Sequence, residues 1–158
     1  IAKLEIFKNQ TYIHYHSGEW FYKGIDYECF SEQYLGDNLT DYKFHCLYGQ
    51  PKFCQVIRDR QIGQTNEVCV DLKGNCFDFH FDEEFKLVKK FVIPNNWKRM
   101  IEIATLLSKD FDYVRVDLYN TNIESFSDES IFVGELTFSP KAGNYKGKGQ
   151  KIVGELLN

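Results

Sequence analysis

From Asp41 onward, apolar and polar residues alternate in short runs, and one stretch between those runs changes to a helical period. Asp41 to Tyr48 and Lys52 to Arg58 alternate on either side of Gly49-Gln50-Pro51, the pattern of two antiparallel strands joined by a turn. Tyr113 to Tyr119 and Ile131 to Phe138 read as two more strands, separated by a loop rich in Asn, Ser and Asp. Between the two pairs, Trp97, Met100, Ile101, Ala104 and Leu107 recur at i, i+3, i+4, i+7 and i+10, which predicts an amphipathic helix. Asn95 or Asn96 is its expected cap, with Lys98 and Glu102 as an exposed i,i+4 pair.

The flanks are less regular. Tyr27 to Tyr34 predicts a strand feeding the turn Leu35-Gly36-Asp37-Asn38, and Val68 to Leu72 predicts a short strand that pairs with Phe77 to His80 across Lys73-Gly74-Asn75. Residues 1–24 carry Leu4, Phe7, Trp20 and Phe21 at roughly helical spacing, interrupted by the Tyr- and His-rich run from Tyr12 to His16. Lys141 to Gly149 is rich in Gly and Lys, and residues 150–158 add one or two closing helical turns. Strand, hairpin, helix, hairpin is the order of an α+β domain, an antiparallel sheet covered by helices on one side. Residues 1–158 read as a single partial domain, and because the chain opens at Ile1 within a helix-like pattern, an upstream portion is expected.

With 43% hydrophobic and 16% aromatic residues, the chain can bury a core, which excludes a disordered segment. A net charge of -4 argues against a nucleic-acid partner, since such proteins carry a basic excess or stripe. The absence of a long apolar run or signal-peptide core predicts no membrane insertion. Five cysteines, an odd number set among strand-like apolar residues, read as reduced thiols of a cytoplasmic protein. Oligomeric state is left open by these numbers.

The chemistry is concentrated in the two late strands. Residues two apart on a strand point the same way, so Arg115 shares a face with Asp117, and Glu135 with Thr137. If the strands pair, two carboxylates and a guanidinium converge, the inventory needed to hold a divalent cation and a polyphosphate. A purely structural cross-strand ion pair fits the spacing equally well. Cys69, Cys76 and His80 lack the close Cys pair of a zinc site and read as structural. Gly147-Lys148-Gly149 follows no clear strand and opens no clear helix, so it is not read as a phosphate loop.

Arg115-Val116-Asp117, followed by Glu135-Leu136-Thr137-Phe138-Ser139-Pro140 and Gly143, resembles the R-x-D and E-x-N-x-x-P-G elements that close the ATP-grasp active site. Taken with Glu32-Gln33-Tyr34-Leu35, Asp41-Tyr42-Lys43-Phe44-His45-Cys46, Gly49-Gln50-Pro51-Lys52 and Asp59-Arg60, nearly the whole chain is similar to the TupA-like ATP-grasp family of bacterial surface-polysaccharide clusters. Gly18-Glu19-Trp20-Phe21-Tyr22-Lys23 resembles that family's R-E-W-P-Y-K element, with Gly18 and Phe21 departing from it.

The resemblance implies the C-terminal part of an ATP-grasp fold, with ATP and Mg2+ as cofactors. By matching positions, Asp117 and Glu135 are implied as Mg2+ ligands, and Thr137 stands where many such enzymes place a third, Asn ligand. Arg115 is implied to contact the phosphates or an acyl-phosphate intermediate. Glu32 to Leu35 is implied as the hinge whose backbone meets adenine, with Asp41 near the ribose and Lys43 and Arg60 facing the nucleotide cleft. The implied activity is a carboxylate-amine ligase of cell-surface polysaccharide biosynthesis, acting on a small-molecule or polysaccharide-precursor substrate. A glycosyltransferase of the same pathway and a non-catalytic binding module are the alternatives. The family's Gly-rich loop and phosphate-binding Lys would precede Ile1, so these residues alone are expected to be inactive.

Overall fold

The computed structural model describes residues 24–25, 30–60, 63–144 and 147–157. Two compact units divide the chain, Ile1–Tyr34 and Leu35–Asn158. In the first, the described residues 30–34 form no strand, although Tyr27 to Tyr34 reads as one. The helix-like pattern of Leu4, Phe7, Trp20 and Phe21, the Tyr12 to His16 run and the Gly18 to Lys23 element lie outside the described residues.

The second unit is built on six strands: β1 (Asp41–Leu47), β2 (Gln50–Arg58), β3 (Asn66–Val70), β4 (Lys86–Leu87), β5 (Tyr113–Asn120) and β6 (Ile131–Thr137). Their order in the sheet is β4-β3-β2-β1-β5-β6, antiparallel throughout except for the short β3/β4 pair. Two helices accompany it, α1 (Trp97–Ser108) and α2 (Gly147–Leu157). This is the α+β architecture expected from the sequence.

Strand parity sorts the two faces of the sheet. Tyr42, Phe44, Cys46, Cys54, Val56, Val68, Val70, Val114, Val116 and Leu118 are buried on one face against Trp97, Met100 and Ala104 of α1. Burying a side chain of this size is worth about 1.5–3 kcal/mol, so this face is the main source of stability. On the opposite face Phe53, Cys69, Phe79 and Phe81 form a second cluster, covered by Ile152 and Val153 of α2. The helices therefore lie on both faces, not one.

Several local expectations are corrected. The β1/β2 turn is Tyr48-Gly49, both left-handed (φ 50° and 71°), which suits the right-handed twist of a tight hairpin. Gln50 and Pro51 consequently belong to β2, and a register shift after His45 absorbs the extra residue. The strand expected at Val68 to Leu72 runs from Asn66 to Val70; it ends there because the Asp71 carboxylate accepts from the backbone N–H of Lys73 and Asn75 at 2.8 Å and turns the chain. Pairing with the following segment stops after a Val70/Cys76 bridge and the Phe77 N–H to Cys69 carbonyl bond. Beyond it the aromatic run folds over the sheet, where the buried Glu67 carboxylate accepts from the N–H groups of Phe81 (2.7 Å) and Asp82 (3.1 Å).

At the start of α1, Asn96 makes no capping bond, because its side chain is taken by Ser127, Ser130 and Asn120. Glu102 pairs with Arg99 one turn away at 3.1 Å, and Arg99 also reaches Asp128. The closing helix is also longer than the sequence pattern suggests. Gly147-Lys148-Gly149 opens it, and a β-carbon at Gly149 would stand 2.4 Å from the Phe81 ring. The glycine is required for close packing of α2.

Candidate functional site

Register carries the odd-numbered residues of β1 and β5, together with Glu135 and Thr137 of β6, onto one face, opposite α1. Two rungs cross the three strands there: Lys43, Asp117 and Glu135 in one, His45, Arg115 and Thr137 in the next. An isolated charge at such buried positions would be costly, so each one must find a counter-charge.

Those partners form a continuous chain. Arg115 grips Asp117 with two donors, Nε to Oδ1 and Nη2 to Oδ2, both at 2.7 Å. Lys43 donates to the same Oδ2. Arg115 Nη2 also donates to the Thr137 hydroxyl at 3.0 Å and lies 4.0 Å from Glu135. On the other side, Lys43 is 3.9 Å from Asp41, whose carboxylate accepts from Arg60 at 2.7 Å. Three cations and three carboxylates alternate, with Asp117 buried at the centre and the Glu135 side chain 60% exposed at the rim.

Of the residues suggested by the sequence, Asp41, Lys43, Arg60, Arg115, Asp117, Glu135 and Thr137 are thus brought into one network. Leu35 is half-buried and precedes Gly36, which lines a cavity of about 220 Å³ together with Asn38, Leu39, Asp41, Arg60 and Tyr119. Glu32 is exposed and belongs to the first unit.

The same face holds residues to which sequence reasoning gave no role. His45 is fully buried, with its ring nearly parallel to Phe53 and Phe81 and its Nδ1 3.0 Å from the Tyr113 hydroxyl. Burial first, then the Arg115 and Lys43 charges, lower its pKa to about 3, so it is neutral at physiological pH. Gln55 lies opposite Lys43 and donates to Glu67 at 2.9 Å. The signal was the same alternation: polar residues at every second position of strands whose other positions are apolar.

A second cavity, of about 300 Å³, lies beyond the Arg115/Thr137 rung among Tyr113, Phe138, Pro140 and α2. Among the described residues, three or more His, Cys, Asp or Glu side chains nowhere gather into a metal cluster, which covers Cys69, Cys76 and His80. No described helix is long and apolar enough to cross a membrane.

The family model for TupA-like ATPgrasp proteins matches residues 2–157. The chain belongs to the TupA-like ATP-grasp family. No curated protein and no solved structure matches it. Membership makes this an ATP-grasp-type, ligase-like fold, and ATP-grasp families generally bind ATP and Mg2+. The TupA-like chain offers hard oxygen donors for such an ion in Asp117 and Glu135, paired across β5 and β6. Two carboxylates suit Mg2+, which takes one or two of them and completes its shell with phosphate and water oxygens. Lys43 and Arg115 beside them have the charge to meet phosphate.

Proposed function

We propose that this face is the phosphate and metal wall of an ATP- and Mg2+-dependent carboxylate-amine ligase in cell-surface polysaccharide biosynthesis. What carries the reading is the Lys43/Asp117/Glu135 rung with Arg115 beside it, in a chain of this family. Asp117 and Glu135 would hold Mg2+, with the Thr137 hydroxyl as a third oxygen. Arg115 and Lys43 would then exchange Asp117 for phosphate oxygens. Asp41 and Arg60, on the cavity beside Leu35, would meet the ribose and adenine side of the nucleotide.

When bound, Mg2+ neutralises charge on the transferring phosphate, so the chain's contribution is orientation and complementary charge. Reactions of this class move the γ-phosphate of ATP to a carboxylate, releasing ADP, and an amine then attacks the acyl carbon and expels phosphate as the amide forms. A uronic acid and an amino acid are fitting substrates for a surface-polysaccharide pathway. The free thiols of Cys46, Cys54, Cys69 and Cys76 fit a cytoplasmic enzyme.

The test is calorimetry of the full-length protein with Mg-ATP. Binding is expected, and Asp117→Asn combined with Glu135→Gln should weaken it strongly. Equal affinity in the double variant would remove the metal-site assignment. ADP release that requires both a carboxylate and an amine identifies a ligase. Turnover of a nucleotide sugar instead identifies a glycosyltransferase, and Mg-ATP binding without turnover a binding module.

A further inference from the structure

The 300 Å³ cavity beyond the charged network is separate from the polyphosphate wall and has different chemistry. Tyr113 lies two residues before Arg115 on the same face of β5, so strand geometry puts the two side chains about 7 Å apart. Thr137, the rung partner of Arg115, ends β6, and Phe138, Pro140 and Gly143 follow directly as one wall. The opposite wall is α2, through Val153 and Gly154.

The bend that makes this space is specifically constructed. Lys141 and Ala142 are both left-handed (φ 51°), a conformation disfavoured for residues with a β-carbon. It is held by the Ala142 N–H to Ser139 carbonyl bond at 2.9 Å and by the Lys141 to Asp82 ion pair at 2.6 Å. On the helix side, a β-carbon at Gly154 would meet nothing within 4 Å, so the fold leaves room there that a larger residue would fill.

The walls also state what the space accepts. The Tyr113, Phe138 and Pro140 rings and Val153 present carbon, with Ser139 and Gln150 supplying the polar groups. A polyphosphate or a free sugar would leave many polar atoms unpaired against such walls. A hydrocarbon body would not, and a carboxylate on it would face the Arg115 guanidinium. We propose that this cavity is a substrate subsite for a small monocarboxylate with a hydrocarbon or aromatic body, of the size of a branched-chain or aromatic amino acid. The proposal rests on Arg115 belonging to the ligase site, and it gives this cavity to the amino acid of the two substrates, with the sugar acid bound elsewhere.

The probes are phenylacetate and glucuronate, each titrated into the full-length protein with ligand-observed NMR, with and without Mg-ATP. Phenylacetate should bind, and glucuronate should not displace it. Gly154→Leu fills the cavity from a helix position with open space and should weaken phenylacetate about tenfold or more while leaving Mg-ATP affinity unchanged. Gly154→Ala, which favours the helix, is the second variant and should weaken it in the same direction with no loss of thermal stability. Undiminished phenylacetate binding in both variants, displacement of phenylacetate by glucuronate, or no binding of phenylacetate overturns the subsite. If phenylacetate binds and responds to Gly154 while Mg-ATP does not bind, the subsite stands and the ATP-dependent reading fails.

Discussion

Asp117 is the electrostatic centre of the charged face, and its interaction with Lys43 is the most direct measure of how that face is held. The two residues are 74 positions apart, opposite each other on β1 and β5, with side chains only 12% and 6% exposed. Asp117→Asn leaves Lys43 and Arg115 with only the more distant Asp41 (3.9 Å) and Glu135 (4.0 Å) as counter-charges, and breaking a buried pair in this way costs about 3–5 kcal/mol. Lys43→Met leaves the two Arg115 bonds intact, so a smaller loss of about 1–2 kcal/mol is expected. In a double-mutant cycle, read by urea unfolding at pH 7, the Lys43/Asp117 coupling should be about 1.5–3 kcal/mol. It should survive an increase from 0.1 to 1 M salt, because a buried pair is weakly screened (roughly 10 Å and 3 Å Debye lengths matter mainly for exposed charges). A solvated pair would give only about 0.2–1 kcal/mol. A coupling below about 0.5 kcal/mol that disappears in salt would refute the burial argument.

Other consequences follow from the buried groups. His45 is held neutral down to about pH 3, whereas an unfolded histidine takes up a proton near 6.5. Between those values the unfolded state binds the extra proton, so stability falls as pH falls, by about 2 kcal/mol from pH 7 to pH 5. His45→Phe, which keeps the ring beside Phe53 and Phe81, should remove that part of the slope in denaturant titrations; an unchanged slope would contradict it. Burial pushes the thiols of Cys46, to about 11, and of Cys54 and Cys69 upward, whereas Cys76 is exposed. Of these four, Cys76 should be the one that N-ethylmaleimide modifies in the native protein, as mass spectrometry can read, and early modification of Cys54 would count against this packing. Gly149→Ala pits helix propensity against the Phe81 ring: propensity alone predicts a gain of about 1 kcal/mol, overpacking a loss of about 1–3 kcal/mol. The loss is expected, since the β-carbon would stand 2.4 Å from a ring that is itself buried, and a raised thermal midpoint would show that α2 does not dock there.

The strands around Asp41 to Arg58, Tyr113 to Asn120 and Ile131 to Thr137 and the helix from Trp97 were legible because their periods are local. A strand repeats every two residues and a helix every 3.6, and a few turn residues punctuate them. The same parity put Arg115 with Asp117 and Glu135 with Thr137 on shared faces before any pairing was known. The family motifs then supplied Lys43, Asp41 and Arg60, which no local period would single out. Where local pattern met long-range demand, it lost: Asn96 serves a buried amide network instead of capping, and Phe77 to Phe81 covers the sheet instead of pairing within it. The extent of α2 was hidden because glycines are poor helix formers, and only the close approach of Phe81 gives Gly149 its reason.

By itself, then, the sequence determined the fold class, the family and which side chains share a strand face, since these depend on neighbours along the chain. Tertiary structure alone decided that Lys43 meets Asp117 across 74 residues, that the face is a balanced network of ions around one buried carboxylate, and that an apolar cavity opens among Tyr113, Phe138 and α2. Register and packing set those distances, and both are fixed only when strands distant in sequence close against one another.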